Sequence, residues 1–444
     1  MKKLLAFIML TALLAMSSCG TLSDSVQNNT ETVTISDVDA QFVNNLEIEN
    51  ALKSAEHLVG YDGTGADGTL CDGGDVCYFV TQAYAHSLII VYDKETGTAK
   101  PLCNKANCSH DEINCAANIG VGYSGLTYYD GKLYWVETDT NSDTDLGMVV
   151  YCEDIESTVR TVIKPVLSDN ALGVINAEFI GDKVIYTNAM YSGGTDGAIH
   201  TIFGIADING EDDTVILDDK SNDILGLSLP LNIDMRLIGD TVYYTVTVTS
   251  DQSDPNSDVT VCVYTYDLST GDFSTVCRLS SEDGDIPKAN SFKLLSSSEL
   301  YFMTSETHEI CRYNISEGSW RTLYDFSEYG DTYGFPDGQI RNYVFVGDMC
   351  CVAVVNEGKI IIAAKDMDGN LVFETDISEL AAETNGHFSI WISGGDDENI
   401  YCCFSFQDIG YTYQLDTTVA VPINGGNAKM LYQNKSDLKK RWQK

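Results

Sequence analysis

The chain has 444 residues, of which 66 are acidic and 26 are basic, so its formal net charge at pH 7 is −40. A charge of this sign argues against nucleic acid and anionic lipid surfaces as partners, and it favours cations, basic peptides or neutral sugars. The same charge also serves the solubility of a surface protein, which requires no ligand at all.

The N-terminus predicts export from the cell. Lys2 and Lys3 precede an apolar run from Leu4 to Met16 that Thr11 alone interrupts. The run is shorter than the roughly 20 apolar residues of a permanent membrane helix. A charged start before a short apolar stretch is typical of an export signal. We therefore expect residues 1–18 to be a signal peptide.

The sequence Met16-Ser17-Ser18-Cys19 resembles a bacterial lipobox, in which the cysteine thiol takes a diacylglycerol and becomes the mature N-terminus. The alternative is an ordinary secretory signal with a cysteine nearby. Buried lipid contributes about 0.8 kcal/mol per CH₂, so an acylated, palmitate-bearing Cys19 would anchor the protein on the extracytoplasmic face of the cell membrane. Residues 19–65 are predicted to be the lipidated tether and N-terminal segment, beginning with a polar, small-residue stretch.

A repeated motif organises the remaining sequence. A turn of the Gly-Asp type, an apolar anchor residue and an aromatic-rich strand recur seven times, at spacings of 50 to 58 residues. The anchors are Val76, Leu133, Val184, Val242, Leu300, Cys350 and Ile400. A second turn follows each copy, most clearly at Tyr92–Gly97 and Tyr266–Gly271. Asp, Asn and Gly at these offsets supply the left-handed and Asx conformations that tight hairpins need.

Each repeat therefore contains four short strands, and repeated four-stranded units of this length are typical of propeller blades. We predict an all-β chain whose body, residues 66–434, is a seven-bladed β-propeller of four-stranded blades. A basic C-terminal tail at 435–444 should follow it. The alternative is a two-sheet sandwich, but seven matched double hairpins are difficult to accommodate in that fold. The first and last repeats both look complete, so the sequence gives no sign of closure by strand exchange.

Four metal-ligating side chains lie within thirteen residues of the first repeat: Cys103, Cys108, His110 and Cys115. Export permits disulfides, so a bridge that staples this loop is the leading interpretation. A tetrahedral zinc site with sulfur and nitrogen ligands is the second, and free thiols are the third. In all three cases the predicted role is structural.

The lipobox, the propeller repeat and this cysteine cluster together resemble a family of surface lipoproteins from Gram-positive gut bacteria. That family lies within the wider superfamily of low-density-lipoprotein-receptor and TolB-like propellers. The resemblance covers nearly the whole mature chain. It implies the fold and the lipid anchor, but it implies no activity, since the family has none assigned.

A second pair of cysteines flanks a predicted hairpin turn. Cys262 and Cys277 lie almost symmetrically about Ser269-Thr270-Gly271. A regular hairpin would place the two side chains opposite each other, within reach of a disulfide. The alternative is two buried thiols.

The long loops between blades concentrate acidic and aromatic residues, and functional loops tend to be the long ones. Their carboxylates would attract cations and could bind Ca²⁺, and their aromatic rings could stack on sugars or peptide side chains. Acidic residues are also common in the other loops, which weakens this argument. The ligand-binding candidates are Asp283, Asp285, Glu328, Tyr329, Asp331, Tyr333 and Phe335.

The leading functional interpretation is a cell-surface binding module that recognises a glycan, a peptide or another surface protein. The sequence has no Gly-x-Ser-x-Gly elbow, no His-Glu-x-x-His motif and no phosphate-binding glycine loop, so no catalytic residue is predicted. The alternative is a carbohydrate- or peptide-active hydrolase or lyase that uses acidic residues at the propeller mouth.

The lipobox makes a direct prediction about Cys19. Expressed in a bacterial host, the wild-type protein should partition into detergent, whereas Cys19→Ala should be released to the medium or retain its signal, because it cannot be acylated. Cys277→Ala is the control and should partition like the wild type. A Cys19→Ala protein that stays on the membrane, with an uncleaved signal in the wild type, would instead identify residues 4–16 as an anchor helix.

Overall fold

The computed structural model describes the chain between residues 70 and 437. The signal peptide, Cys19 and the tether lie outside the described residues. Within the described range, the gaps are 82–86, 109, 111–114, 120–122, 130, 140–146, 157, 168–170, 181–182, 192–198, 208–213, 219–231, 250–256, 306, 330–339, 347–348, 357–358, 367, 381–385 and 409–411.

The described residues form seven antiparallel sheets, each made of consecutive strands. Blade one contains β1 (Leu70–Asp72), β2 (Val76–Thr81), β3 (Ser87–Asp93), β4 (Thr98–Pro101) and β5 (Asn118–Ile119), and blade two contains β6 (Ser124–Tyr129), β7 (Lys132–Asp139), β8 (Gly147–Asp154) and β9 (Val159–Leu167). Blade three contains β10 (Ala171–Ile180), β11 (Lys183–Tyr191), β12 (Ile199–Asp207) and β13 (Thr214–Asp218), and blade four contains β14 (Asn232–Ile238), β15 (Thr241–Thr249), β16 (Val259–Asp267) and β17 (Phe273–Ser280).

The last three blades follow the same order. Blade five contains β18 (Ala289–Ser296), β19 (Glu299–Thr304), β20 (Glu309–Asn314) and β21 (Ser319–Asp325), and blade six contains β22 (Ile340–Val346), β23 (Met349–Asn356), β24 (Lys359–Lys365) and β25 (Leu371–Asp376), followed by a 3₁₀ turn at Ser378–Leu380. Blade seven contains β26 (Gly386–Gly395), β27 (Asn399–Asp408), β28 (Tyr413–Pro422) and β29 (Lys429–Asp437).

The seven-bladed propeller predicted from the repeat is confirmed. The second strand of each blade begins within one residue of its predicted anchor, from Val76 in β2 to Asn399 in β27. β29 runs to Asp437, so its last residues belong to the stretch predicted as a tail. None of the helical segments among the described residues has the length and apolarity needed to cross a membrane.

The turns between the third and fourth strands explain the second sequence signature. In blade four, the Asp267 carboxylate accepts hydrogen bonds from the backbone N–H groups of Ser269 and Thr270 at 2.8 and 2.9 Å. Gly271 follows with a φ of 75°, which an L side chain rarely adopts. Asp93, Asn314 and Asp366 accept equivalent bonds in blades one, five and six. These side-chain oxygens therefore stabilise the hairpin turns.

Each blade packs through apolar side chains against its neighbours. One buried cluster joins blades four and five through Val261 and Phe302, and another joins blades six and seven through Cys351 and Phe404. First strands of neighbouring blades, such as β6 and β10 or β22 and β26, contact each other, as the inner strands of a ring do. The fourth strands consequently form the outer rim.

The ring closes between blades seven and one by side-chain packing, since each of these blades is built from its own continuous segment. Tyr92 and Tyr401 meet edge to face with ring centroids 6.0 Å apart. The ammonium of Lys94 lies 3.9 Å from the carboxylate of Asp396, and Lys429 donates to the carbonyl of Gly97. Along the described strands, closure therefore involves no exchange of a strand between the terminal blades.

Candidate functional site

The cysteine cluster lies in an interruption of the outer strand of blade one. Both β4 and β5 pair with β3, at adjacent stretches of that strand. Leu102 donates its N–H to the carbonyl of Ile89 at 2.9 Å, and Ile89 donates its own N–H to Ala117 at 2.7 Å. Residues 103–116 therefore leave the strand and rejoin it at a single position. We call this segment the metal loop.

The four candidate ligands of the metal loop converge. The ligand atoms of Cys103, Cys108, His110 and Cys115 all lie within 4.8 Å of one another. The Sγ atoms of Cys108 and Cys115 are 3.7 Å apart, and Nδ1 of His110 is 3.3 Å from Sγ of Cys115. In a tetrahedral site with metal–sulfur bonds of about 2.3 Å, two sulfurs stand roughly 3.8 Å apart. The cluster thus has the spacing of a metal site and could hold a metal ion.

The backbone of the loop brings these side chains together. Asn107 and His110, which lie on either side of Cys108, have φ angles of 59° and 61°. This left-handed conformation is uncommon for residues other than glycine, although Asn and His adopt it more readily than most. The two left-handed residues bend the chain around Cys108.

The thiols have different environments. Burial raises the pKa of the Cys115 thiol to about 12, and Cys115 is 2% exposed. A hydrogen bond from the backbone N–H of His110 lowers the pKa of Cys108. Metal ions bind the thiolate, so a bound cation would favour deprotonation at both positions.

The predicted disulfide staple is not formed in the structure. The cysteines of the metal loop are free thiols, and the 3.7 Å between Cys108 and Cys115 far exceeds the bond length of about 2.05 Å. The sequence identified the correct residues. Their convergence depends on both ends of the loop pairing with Ile89, a long-range contact that the spacing of cysteines does not reveal.

The metal loop, whose cysteines join the apolar cluster that blades one and two share, also makes a polar contact with blade two. Arg160, in β9, donates to the Ala116 carbonyl at 2.8 Å and to Glu153 at 3.0 Å. Its guanidinium carbon lies 4.8 Å from the ring centroid of Trp135, which stacks on Tyr151 with centroids 5.6 Å apart. Sequence reasoning missed these residues, because a single Arg in an outer strand gives no local sign of burial.

Glu153 is an unusual buried acid. Its side chain is fully buried, and Oε1 has no hydrogen-bond partner, although Arg160 binds the other oxygen. Desolvation raises the pKa of Glu153 to about 7, with Arg160 acting in the opposite direction. The carboxyl group therefore changes charge near neutral pH, at the junction between blades one and two.

The interblade loop at residues 281–288 is ordered by its own hydrogen bonds. The carboxylate of Asp285 accepts from the Ser280 N–H at 3.1 Å, and Asp258 accepts from the hydroxyl of Ser281 at 3.0 Å. Asp283 donates its N–H to the Ser280 hydroxyl, and its carboxylate is exposed. Of the two predicted ligand residues here, Asp285 thus holds the turn and Asp283 faces solvent.

The second predicted ligand loop differs from expectation. Tyr329 is 3% exposed and packs in the core of blades five and six, where its hydroxyl donates to Glu374 at 3.0 Å. This ligand-binding candidate is therefore not available at the surface, because it packs with Tyr324 and Phe326 in the core. Glu328 is exposed and forms an ion pair with Lys365 at 2.9 Å. Asp331, Tyr333 and Phe335 lie outside the described residues.

The expected bridge between Cys262 and Cys277 is also wrong. A bulge between Val263 and Tyr264 shifts the register, so Cys262 lies opposite Arg278 and Cys277 lies opposite Val263. Neighbouring positions of a strand point to opposite faces. Cys262 therefore packs toward blade three and Cys277 toward blade five, and both are free thiols.

The fold and the site define a seven-bladed propeller with a group of four metal-ligating side chains in its first blade. Among the described residues, these four side chains form the one group of three or more His, Cys, Asp or Glu whose ligand atoms converge. Calcium was a candidate ligand of the acidic loops. Within the described residues of those loops, no such group of ligand atoms converges.

No model of a known protein family matches the chain, and no curated protein matches it in sequence. An acylaminoacyl peptidase from Pyrococcus horikoshii is similar in structure, with 13% identity, a TM-score of 0.43 and coverage of 85% of this chain and 54% of that one. TolB from Acinetobacter baumannii has 13% identity, a TM-score of 0.36 and coverage of 84% and 79%. The propeller domain of the Trilobed protease from Pyrococcus furiosus has 13% identity, a TM-score of 0.40 and coverage of 82% and 95%.

The chain spans about half the length of the acylaminoacyl peptidase. Similarities at these identities and scores carry no argument about activity. The number of blades rests on the strand pairing of the chain itself.

The raised pKa of Glu153 predicts a specific pH dependence. The folded chain keeps this proton up to about pH 7, whereas the unfolded chain releases it above the ordinary value of 4.5. The contribution of Glu153 to the free energy of unfolding is therefore full at low pH and is lost as the pH rises through 7, by at most about 3 kcal/mol. Glu153→Gln does not titrate, so its stability relative to wild type should improve from pH 5 to pH 8.

Urea unfolding at pH 5, 6, 7 and 8 measures this difference. Glu299→Gln is the control, because it removes the partner of Arg312 from a partly exposed pair at 2.9 Å. Its stability relative to wild type should stay constant over this range. Parallel profiles for Glu153→Gln and wild type would show that Glu153 is ionised throughout.

Proposed function

We propose that the chain is a binding module, held on the extracytoplasmic face of the cell membrane by lipidated Cys19, whose ligand contacts one face of the propeller. The likeness of its lipobox, repeat and cysteine cluster to surface lipoproteins of Gram-positive gut bacteria supports the lipid anchor in this proposal. The observation that carries it is the construction of that face: two of its loops are held in shape by internal contacts before any ligand arrives.

The topology brings these two loops to one side of the ring. The metal loop projects from the outer strand of blade one opposite Ile89, two residues from the end of that strand that pairs with the start of β3. The loop at 281–288 leaves the end of the outer strand of blade four. Loops after fourth strands and loops before third strands share one face, which we call the loop face. Preordered loops lower the entropy cost of binding.

Charge favours a cationic ligand. Glu282, Asp283 and Asp285 are all exposed in the loop at 281–288, on a chain whose net charge is −40. Exposed carboxylates on one face attract cations and accelerate their association in a salt-dependent manner. We therefore propose a basic peptide segment, presented by a peptide or a surface protein, as the preferred ligand, ahead of a glycan.

The test is binding of a fluorescent decalysine peptide to the ectodomain at low and high salt. Glu282→Gln combined with Asp283→Asn should weaken binding by roughly three- to tenfold at low salt, since each exposed charge contributes up to about 1 kcal/mol. The structural carboxylate of Asp285 stays intact. Glu95→Gln combined with Glu317→Gln removes the same charge from the opposite face, so it should bind like the wild type.

Equal loss in both double variants would indicate nonspecific attraction and contradict a site on the loop face. Recovering the peptide intact after incubation separates binding from hydrolysis. Cleavage of the peptide by the wild-type ectodomain would support the alternative, a peptide-active hydrolase, instead of a binding module.

We further propose that the metal loop holds a structural zinc ion. Three thiolates and one imidazole form a donor set that zinc prefers, and the spacing of the ligand atoms supports tetrahedral coordination. Calcium takes hard oxygen ligands and does not suit these sulfurs. Four protein ligands would fill the coordination sphere, as in structural sites.

Purified from zinc-supplemented cells, the ectodomain should carry about one zinc per chain, measured by elemental mass spectrometry. Cys108→Ser and His110→Ala should both lose it, because three ligands remain in each. Cys277→Ser lies outside the cluster and should retain it. A zinc-free protein with a Cys108–Cys115 disulfide in non-reducing peptide mapping would overturn the metal in favour of the staple.

A further inference from the structure

Arg160 connects the metal loop to the core of blade two. Its guanidinium binds the Ala116 carbonyl at 2.8 Å and the Glu153 carboxylate at 3.0 Å, and it lies over Trp135 at 4.8 Å. Trp135 and Glu153 are fully buried. One side chain therefore holds a backbone group of blade one and a buried acid and ring of blade two in a single arrangement.

The Ala116 carbonyl is tied closely to the metal ligands. Ala116 follows Cys115 directly, and the Cys115 carbonyl accepts a hydrogen bond from the Asn118 N–H at 2.9 Å. Ala117 accepts from Ile89 of the central sheet of blade one. The position of Cys115 thus determines where the Ala116 carbonyl lies, and a metal that fixes Cys115 also fixes the acceptor of Arg160.

Blade one also meets blade two through apolar residues, among them the stacked rings of Tyr78 and Tyr128, but its outer edge is interrupted. Its outer strand consists of two short pieces, β4 with four residues and β5 with two, separated by the metal loop. The outer strand of blade two, by contrast, has nine residues. An edge assembled from short pieces depends on the loop that joins them.

We propose that metal bound at the cluster controls how blade two docks on blade one, with Arg160 as the positioning residue that transmits its presence. This inference rests on the metal site proposed above. It assigns the metal loop a role beyond local stability: the packing of blade two on blade one depends on metal occupancy.

Linkage makes the proposal reciprocal. If metal binding strengthens the contact between Arg160 and Ala116, then an intact contact must strengthen metal binding by the same factor. Partners that orient metal ligands from outside typically change metal affinity by 10- to 100-fold. Weakening the arginine contact should therefore lower zinc affinity, although Arg160 does not bind the metal.

The experiment uses the complete ectodomain with and without zinc. Arg160→Lys keeps the positive charge beside Glu153, but an ammonium cannot reproduce the planar fork that reaches two partners. Arg312→Lys is the matched control, because Arg312 also pairs with a glutamate of its own blade, at 2.9 Å, far from the metal loop. Zinc affinity is measured by competition with a chromophoric chelator, and hydrogen exchange is followed in β8 and β9.

In wild type and Arg312→Lys, removing zinc should raise hydrogen exchange in β8 and β9 but not in β20 and β21. Arg160→Lys should exchange rapidly in β8 and β9 even with zinc, and its zinc affinity should fall by about tenfold. Arg312→Lys should stay within about twofold of wild type. Should Arg160→Lys fail to fold, the zinc dependence of hydrogen exchange in the wild type still shows whether metal controls the junction of blades one and two.

The two failures are distinguishable. If the wild type binds no zinc, the metal site itself is wrong. If it binds zinc, but exchange in β8 and β9 does not respond to its removal, or Arg160→Lys matches wild type in affinity, then the metal site stands and control of the blade junction is overturned.

Discussion

Burial between neighbouring blades is the constraint on which the rest of the structure depends. Each blade presents apolar residues on both faces, so every face must be covered by another blade. A ring satisfies this requirement. It leaves the loops at the strand ends as the positions where residues can vary without disturbing the core. The terminal blades meet through Tyr92 and Tyr401, an ion pair and the bond from Lys429 to the Gly97 carbonyl, with no strand exchanged along the described strands.

The junction of blades one and two is packed by apolar residues like the others, but it also contains a buried polar pair. A buried ion pair seldom adds stability over apolar residues of similar size, because desolvation offsets the attraction. Glu153 and Arg160 are therefore poorly explained as stabilising residues. Positioning explains them better, since Arg160 also holds the Ala116 carbonyl of the metal loop. The polar contact between Arg160 and Glu153 lies next to the metal loop.

Local signals made the fold predictable, and non-local ones limited the prediction of the site. The turn carboxylates such as Asp267 act within three residues, so the sequence revealed every blade. A bulge at Val263 changed the register that symmetry suggested for Cys262 and Cys277. Tyr329 was assigned to a ligand surface because its loop is irregular, yet tertiary packing buries it. The metal loop depends on Ile89, which lies fourteen residues before its nearest cysteine ligand, Cys103.

The donor set of the metal loop bears on the choice between a binding module and an enzyme. Catalytic zinc keeps an open position for water or substrate, whereas four protein ligands leave none. The pKa of the Cys108 thiol is lowered. However, its sulfur lies within 4.8 Å of the ligand atoms of Cys103, His110 and Cys115, so a bound metal would take all four side chains as ligands. A nucleophile cannot act while it serves as a ligand. The donor set is thus suited to fixing the shape of a loop, which is the structural role that we propose for the metal.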